Sequence, residues 1–156
     1  MIEPSAIDAS NLLPHRRGAR LLTEILRSGP ELIEAAGVVP ATHPLAGAAG
    51  APCFIGLELG AQAAAALEVL LRIESGGDGS VRPGRLVRVR EAEFLEPALP
   101  VDTRLTVTAR LEGAAPPLSI YRIVVEDGRI EYLRAAIGTW GGTGPPSGAD
   151  HSPGPP

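Results

Sequence analysis

Two side chains in this sequence have the chemistry for proton transfer near neutral pH. His43 stands before Pro44, and because a residue that precedes proline avoids the helical region, we expect His43 in the loop before the next helix. Histidine titrates close to pH 7, as a general base or acid requires. Glu58 follows 15 positions later, inside that helix. A carboxylate on a buried helix is stable only if it points to solvent, pairs with a hydrogen-bond donor or a cation, or is protonated. The protonated form suits a general acid.

The polar residues of this helix share one face. At 3.6 residues per turn, four of them fall within a sector of about 120°: Glu58, Gln62, Glu68 and Arg72. Glu68 and Arg72 have the spacing of a favourable ion pair. Two interpretations therefore stay open. Either Glu58 is a functional acid beside His43, or the four residues form a solvent-exposed stripe and His43 is an ordinary surface residue.

The remaining reactive residues give weaker signals. Cys53, near the start of the helix, is either a thiol of lowered pKa or a small buried residue. His15 is predicted to have a structural role in the N-terminal segment, and His151 to have none. The segment 47–50 has the glycines of a phosphate loop but not its lysine, and the chain contains no lysine at all. No spacing of histidines or cysteines suits a metal ion, so we predict no metal site.

Local patterns predict one long helix and a set of strands around it. The run Cys53–Ile73 contains no proline and is apolar on most sides, so other elements must bury it. The charged face of the strand that starts at Arg85 switches after Arg90, which indicates a bulge. Asp127-Gly128 is a strong hairpin signal, and Gly113–Pro117 is predicted as a loop. Alternation and turn signals predict the strands Leu21–Arg27, Glu31–Val39, Arg85–Leu95, Arg104–Leu111, Ser119–Glu126 and Arg129–Trp140.

These elements predict an α+β fold in which a long central helix is wrapped by a mainly antiparallel sheet. With 156 residues, the chain has the size of a single domain. Residues 141–156 hold 5 glycines, 5 prolines and no large apolar side chain, so they are predicted to be a disordered tail. We therefore assign residues 1–140 to the folded domain.

Composition excludes several classes of function. The net charge is −4 and only five residues are aromatic, so the chain lacks both the basic surface and the stacking platform that nucleic-acid binding uses. Glu58 and Gln62 interrupt the longest apolar tract, so no membrane span is expected. The N-terminus shows no pattern of basic residues followed by an apolar run. We therefore expect a cytoplasmic protein.

Three segments together resemble a known enzyme family. LLPHR at 12–16, His43-Pro44 and GLELGAQA at 56–63 are similar, in sequence and in spacing, to the hotdog-fold 3-hydroxyacyl-acyl-carrier-protein dehydratases. The likeness is greatest to the branch found in aryl-polyene pigment clusters, and it extends over about residues 10–140. It implies the hotdog fold, in which an antiparallel sheet wraps a long central helix.

The resemblance also implies a site that two subunits of a dimer share. His43 of one subunit would take the proton at C2 of a 3-hydroxyacyl thioester. Glu58 of the other would help the C3 hydroxyl to leave as water. Gln62, one helical turn after Glu58, would orient that carboxyl or meet the substrate.

The same resemblance implies how the substrate is held. Backbone N–H groups where the helix begins, at Cys53, Phe54 and Gly56, would bind the thioester carbonyl. The acyl chain would arrive on the phosphopantetheine arm of an acyl carrier protein, so no bound cofactor is expected. The dimer would be a homodimer or a heterodimer with another hotdog subunit. Apart from the resemblance, the run of arginines is either a basic patch that would receive the acidic carrier or a solvated strand face: Arg82, Arg85, Arg88 and Arg90.

The chain departs from the family pattern in the loop that carries His43 and in two segments before it. The loop reads THPLAGAAGAP where the housekeeping dehydratases have Gly-His-Phe-Pro-Gly. Thr23 replaces a usual aspartate, and Gly18-Ala19 replaces a proline and a bulky apolar residue. Two other functions stay open, the second of them because of the altered loop. One is a hotdog acyl thioesterase in which Glu58 activates water, and the other is a non-catalytic partner subunit of a heterodimeric dehydratase.

Overall fold

A computed structural model describes residues 7–14, 19–77, 79–80 and 84–141 of the chain. The predictions made for His15, Arg82, His151 and the tail beyond residue 141 lie outside these residues. The described part contains one α-helix, α1 (Ile55–Glu74), and a 3-10 turn at Ala9–Asn11. Its strands are β1 (Ile7–Asp8), β2 (Leu22–Ser28), β3 (Leu32–Val38), β4 (Ala51–Pro52), β5 (Arg85–Phe94), β6 (Ala98–Leu99), β7 (Arg104–Ala115), β8 (Leu118–Glu126) and β9 (Glu131–Trp140).

Seven of the strands form one antiparallel sheet, in the order β1-β2-β3-β7-β8-β9-β5. The short strands β4 and β6 pair beside it. The helix α1 packs across β3, β7, β8 and β9, in the middle of the sheet. This is the predicted α+β arrangement of a long helix against an antiparallel sheet.

The core lies between α1 and the concave face of the sheet. In β7, residues at every second position, Leu105, Val107 and Ala109, are fully buried, as the alternation predicted. On the helix, Leu59 and Leu67 are fully buried against them. Burying such side chains contributes roughly 1.5–3 kcal/mol each, so this layer fixes where the helix lies and how it is rotated.

Several strand ends differ from the predictions by one or two residues, β9 beginning at Glu131 rather than Arg129, and two further boundaries are wrong for a local reason. The helix begins at Ile55 rather than Cys53, because Pro52 belongs to β4 and residues 53–54 form a turn. The predicted loop Gly113–Pro117 is mostly strand, since β7 continues to Ala115 past a register shift after Leu111. The end of β7 is exposed, so its glycine and alanines bear no packing cost. The bulge predicted in β5 is confirmed by a register shift between Arg90 and Glu93, where Glu91 has a φ of 50°.

Two glycines let α1 lie close to the sheet. A Cβ at Gly56 would overlap the side chain of Leu133, and one at Gly60 would overlap Ile123. Because the two glycines are four residues apart, they form a single groove on the helix that receives these side chains. The helix therefore cannot keep its present position if either glycine gains a side chain.

We expect Gly60→Ala to lower the free energy of unfolding by about 1–3 kcal/mol, the usual cost of overfilling a packed core. Urea denaturation measures this change through the transition midpoint. Gly29→Ala is the matched control, because a Cβ at Gly29 meets no atom within 4 Å. An equal effect of the two substitutions would show that helix–sheet proximity is not what Gly60 provides.

Candidate functional site

Glu58 lies on the polar stripe of α1 that also carries Gln62 and Glu68. Its side chain is half-buried and lines a cavity of about 60 Å³ between the helix and the strands β5 and β9. A second carboxylate, Glu68, lines the same cavity further along the helix. The other lining residues are Pro14, Ala61, Ala65, Gly84, Arg85, Leu86 and Thr139. The floor of the cavity is therefore largely apolar, with a carboxyl group from each of two places on α1.

Gln62 connects Glu58 to residues 19–22 through hydrogen bonds. Its side chain is fully buried, and its Nε2 donates to Glu58 Oε1 at 2.9 Å and to the carbonyl of Ala19 at 2.7 Å. Its Oε1 accepts from the backbone N–H groups of Leu21 and Leu22, at 2.9 and 3.1 Å. A primary amide has two donors and two acceptor positions, so all four are occupied. Of the two roles predicted for Gln62, this geometry favours orienting Glu58.

The interpretation of the polar stripe as wholly solvent-exposed is wrong. Gln62 is fully buried, and Glu58 and Glu68 line a cavity. The ion pair predicted between Glu68 and Arg72 is also not formed. Glu68 Oε1 accepts instead from the hydroxyls of Tyr121 and Thr139, at 3.0 and 3.2 Å. Arg72 donates to the carbonyl of Ser80, at 2.9 Å. Long-range partners on the sheet and the following loop thus replace the local pair.

His43 lies in the loop that the prediction gave it, and backbone contacts hold this loop. The N–H of His43 donates to the carbonyl of Pro40 at 2.9 Å, and its own carbonyl accepts from Ala46 at 2.8 Å. The N–H of Leu45 donates to Nδ1 of the imidazole at 3.2 Å, which leaves Nε2 as the nitrogen that can meet a substrate. His43 is half-buried, and it is not among the residues that line the Glu58 cavity. The described chain therefore does not bring these two residues into one cavity.

Asp102, which the sequence analysis did not single out, holds the start of the His43 loop. Its carboxylate accepts from the N–H of Ala41 at 3.0 Å, and its own N–H donates to the carbonyl of Val39 at 2.9 Å. Asp102 has a φ of 51°, a left-handed conformation that aspartate and asparagine adopt more readily than other side chains. Because the contact spans 61 positions, no local pattern reveals it.

If His43 acts in a reaction, we expect Asp102→Ala to lower the kcat of that reaction about 10- to 100-fold while the chain stays folded, because a displacement of about 1 Å at a catalytic group costs on the order of 10²-fold. Asp102→Asn keeps the acceptor and tolerates the positive φ, so it should retain most of the activity. Steady-state kinetics of the two variants, with urea denaturation alongside, measure this difference. Equal kcat values for both variants would contradict the positioning role.

At the start of α1, two backbone N–H groups donate hydrogen bonds to carbonyls of the chain, and two have no such acceptor among the described residues. The N–H of Cys53 donates to the carbonyl of Pro97 at 3.2 Å, and that of Gly56 to the carbonyl of Cys53 at 3.0 Å. Within the described residues, the N–H groups of Phe54 and Ile55 have no acceptor, so these two are the amides available to a ligand oxygen. The side chain of Phe54 is half exposed, beside a shallow depression that Phe94 also lines.

Cys53 is a buried thiol rather than a reactive one. Its side chain is 4% exposed, and its Sγ–H donates to the carbonyl of Tyr132 at 3.3 Å. Burial raises the pKa of this thiol above its ordinary value, so the alternative of a lowered pKa is wrong. What Cys53 contributes at this point of the chain is packing at the turn before the helix.

The strand β5 forms one edge of the large sheet and is exposed along its length. All ten of its residues are exposed. Several of them are large and apolar: Leu86, Val87, Val89 and Phe94. An edge strand with an unpaired row of backbone groups and apolar side chains is a surface that another chain can cover. This edge borders the cavity that Glu58 lines, because Arg85 and Leu86 belong to both.

The described ranges contain neither a metal-binding cluster nor a membrane-spanning helix. Nowhere in them do three or more histidine, cysteine, aspartate or glutamate residues gather in a way that could hold a metal ion. The helix in the described part is not long and apolar enough to cross a bilayer.

Comparison with known proteins gives one family and a group of structural relatives. The model of the ApeP-like family, described as ApeP dehydratase, matches residues 7–144. No curated protein matches the chain. Among solved structures, the chain is similar to the dehydratase heterocomplex ApeI:P from Xenorhabdus doucetiae. The TM-score is 0.79 at 16% identity, over 88% of this chain and 92% of that one.

Two further solved structures are similar at lower scores. One is a hypothetical thioesterase with coenzyme A from Streptococcus pneumoniae, with a TM-score of 0.57 at 12% identity, over 76% of this chain and 84% of that one. The other is an HP0420-homologue from Helicobacter felis, with a TM-score of 0.60 at 12% identity, over 85% and 98%. At these identities the likeness shows the fold alone, and it establishes the predicted hotdog fold.

Proposed function

The chain belongs to the ApeP-like dehydratase family, and on that premise we propose that it removes water from (3R)-3-hydroxyacyl thioesters carried by an acyl carrier protein, giving trans-2-enoyl thioesters. The pathway would be of the fatty-acid or polyketide and polyene type. The family supports a hydro-lyase kind of activity. The observation that best supports the proposal is that the buried Gln62 holds the carboxyl of Glu58 at the wall of a largely apolar cavity. The apolar lining is compatible with part of an acyl chain, and the carboxyl suits proton transfer to or from it.

The proposed reaction needs one group that takes a proton and one that gives a proton. His43 Nε2 takes the proton from C2, the electron pair forms the C2–C3 double bond, and the C3–O bond breaks. Glu58 gives the proton that lets the hydroxyl leave as water. For Nε2 to accept, the neutral imidazole must carry its own proton on Nδ1, where the Leu45 N–H now donates. The Leu45 contact is therefore expected to open when substrate binds.

The thioester carbonyl would be held where α1 begins. The amides of Phe54 and Ile55 are available there, and a helix N-terminus favours the negative charge that grows on the carbonyl oxygen as the C2 proton leaves. The amides of Cys53 and Gly56 are engaged within the chain. Of the predicted residues Cys53, Phe54 and Gly56, we therefore assign the carbonyl contact to Phe54, joined by Ile55.

We propose that a second hotdog subunit completes the site. His43 does not line the Glu58 cavity of its own chain, and the exposed edge of β5 lies beside that cavity. A partner along β5 would cover the apolar side chains and bring its own loop histidine toward Glu58. The similar ApeI:P structure is a heterocomplex. Native mass spectrometry of the chain alone and with a co-expressed hotdog subunit distinguishes a homodimer from a heterodimer.

The remaining proposals concern the binding of the acyl carrier protein, the cofactor and the location of the chain. Arg85, Arg88 and Arg90 are exposed on β5 and form a basic patch for the acidic acyl carrier protein. The phosphopantetheine arm travels with the substrate, so the proposal includes no bound cofactor. Because the carriers of these pathways work in the cytoplasm, we propose that location for the chain.

Two readouts on one substrate test the proposed function. With a 3-hydroxyacyl N-acetylcysteamine thioester, dehydration produces the ultraviolet absorbance of an enoyl thioester and releases no thiol. A thioesterase, to which the similar Streptococcus structure points, releases free thiol without that absorbance. Thiol release alone would replace the dehydratase proposal by the thioesterase. Activity that needs an added hotdog partner and persists in Glu58→Gln and His43→Ala would show that the chain is a non-catalytic partner subunit.

A further inference from the structure

The loop that carries His43, residues 41–50, is described throughout and has no buried residue. Each of its residues is exposed or half-buried, so side-chain packing does not fix its shape. The position of His43 therefore depends on how the two ends of the loop are held and on hydrogen bonds within the loop. Asp102 holds the first end, through the N–H of Ala41. The second end is Gly50, the residue before β4.

Gly50 closes the loop by lying against β6. Its backbone has a φ of 105°, a conformation that side chains other than glycine rarely adopt. A Cβ at Gly50 would overlap the carbonyl oxygen of Leu99. Leu99 is fully buried and is paired with Ala51, so this carbonyl is held in place. Both the backbone conformation and the lack of space therefore require a glycine at this position.

Backbone hydrogen bonds lead from Gly50 to His43. The N–H of Gly47 donates to the carbonyl of Gly50 at 2.9 Å, and the N–H of Gly50 donates to the carbonyl of Gly47 at 3.1 Å. The neighbouring residue Ala46 donates to the carbonyl of His43 at 2.8 Å. A shift of Gly50 away from β6 would therefore move the whole turn and the histidine with it.

We infer that Gly50 is a positioning residue for His43. Its close approach to Leu99 fixes one end of the loop as Asp102 fixes the other, and the two ends together set where the imidazole lies. The inference rests on the proposed function, since it takes His43 as the group that accepts the C2 proton. Gly50→Ala should lower kcat about 10- to 100-fold, because a displacement of about 1 Å at a catalytic group costs on the order of 10²-fold.

Gly76→Ala is the matched control. Gly76 also has a positive φ, of 76°, but a Cβ there meets no atom within 4 Å. The control thus carries backbone strain of the same kind without the overlap, at the far end of α1 from the His43 loop. It should leave kcat within about twofold, and urea denaturation of both variants reports how much of each is folded.

A second variant tests the same connection without straining Gly50. One glycine inserted between Ala48 and Ala49 lengthens the turn and breaks the Gly47–Gly50 pair. Both alanines are exposed, and exposed turns tolerate insertions, so the urea midpoint should stay unchanged. The kcat should still fall about 10- to 100-fold. An insertion variant with unchanged kcat would contradict the inference even if Gly50→Ala failed to fold.

A double-mutant cycle with His43→Ala separates positioning from a general loss of structure. If Gly50 acts through His43, Gly50→Ala should change the residual kcat of His43→Ala by less than about twofold. An equal fold-loss in both backgrounds would overturn the inference, as would an unchanged kcat for folded Gly50→Ala alone. Formation of the enoyl thioester from a 3-hydroxyacyl N-acetylcysteamine thioester measures all four proteins, with a hotdog partner added where turnover needs it.

The ring ¹⁵N signals of His43 test its position without turnover. These signals are identified by their loss in His43→Ala, and they should shift in Gly50→Ala but not in Gly76→Ala. If the unmodified protein dehydrates the thioester and the signals do not shift, only the inference about Gly50 fails. If the signals shift and the unmodified protein dehydrates nothing, Gly50 positions His43 and the proposed reaction fails.

Discussion

Glu58→Gln is expected to lower kcat for dehydration by about 10²- to 10⁴-fold, the usual contribution of a general acid or base. Glutamine has nearly the same size and still accepts a hydrogen bond from Gln62, so the fold and the cavity should remain. What is lost is the proton that Glu58 gives to the departing hydroxyl. His43→Ala is expected to have an effect of the same order, because it removes the group that takes the C2 proton. Formation of the enoyl thioester, followed by its absorbance, measures both.

The matched control is Glu74→Gln. Glu74 is the last residue of the same helix and is exposed, so the same change in charge there should leave kcat within about twofold. A Glu58→Gln variant with the same kcat as the Glu74→Gln control would remove Glu58 from the mechanism.

Mixing Glu58→Gln with His43→Ala tests whether two subunits share the site. If the chain forms homodimers with shared sites, this mixture should restore about a quarter of the activity. Half of the pairs are then mixed, and each mixed pair has one intact site.

Gln62→Met is expected to have the largest effect on stability, a loss of about 3–5 kcal/mol in the free energy of unfolding. Methionine fills a similar volume but can satisfy neither the N–H groups of Leu21 and Leu22 nor the carbonyl of Ala19. Each buried polar group left without a partner costs about 1–3 kcal/mol. The same substitution releases Glu58, so kcat should fall even at temperatures where the variant stays folded.

Leu70→Met separates this effect from a general change in helix packing. Leu70 lies on α1, is half-buried, and has no polar group to lose, so the substitution should cost less than about 1.5 kcal/mol. Urea denaturation of the two variants gives the comparison. A loss below about 1 kcal/mol for Gln62→Met would mean that the three hydrogen bonds from Gln62 to residues 19–22 are not needed to hold that segment against the helix.

The elements that could be predicted from the sequence are those whose causes are local. Strict alternation predicted β7, and its apolar positions are buried. Asp127-Gly128 predicted a hairpin. In the structure Gly128 has a φ of 87°, and Asp127 Oδ1 accepts hydrogen bonds from the backbone N–H groups of Arg129 and Ile130. These signals act over two to four residues, so one sequence is enough to reveal them.

The features that could not be predicted depend on contacts between distant parts of the chain. Gln62 meets residues 40 or more positions away, and Asp102 meets Ala41 across 61 positions. Periodicity put Glu68 beside Arg72, but Tyr121 and Thr139 became its partners only because β8 and β9 pass over that turn of the helix. Helical spacing grouped the polar residues correctly. Which of them were buried was decided by the strands and by residues 19–22.

The most direct test of the central claim is the intact mass of an acyl carrier protein loaded with a 3-hydroxyacyl chain, before and after incubation with this protein. The account predicts that the carrier loses the mass of one water and keeps its acyl group. It also predicts that Glu58→Gln leaves the mass unchanged over the same time. Loss of the whole acyl group from the carrier, or loss of water at equal rates with the unmodified protein and Glu58→Gln, would contradict it.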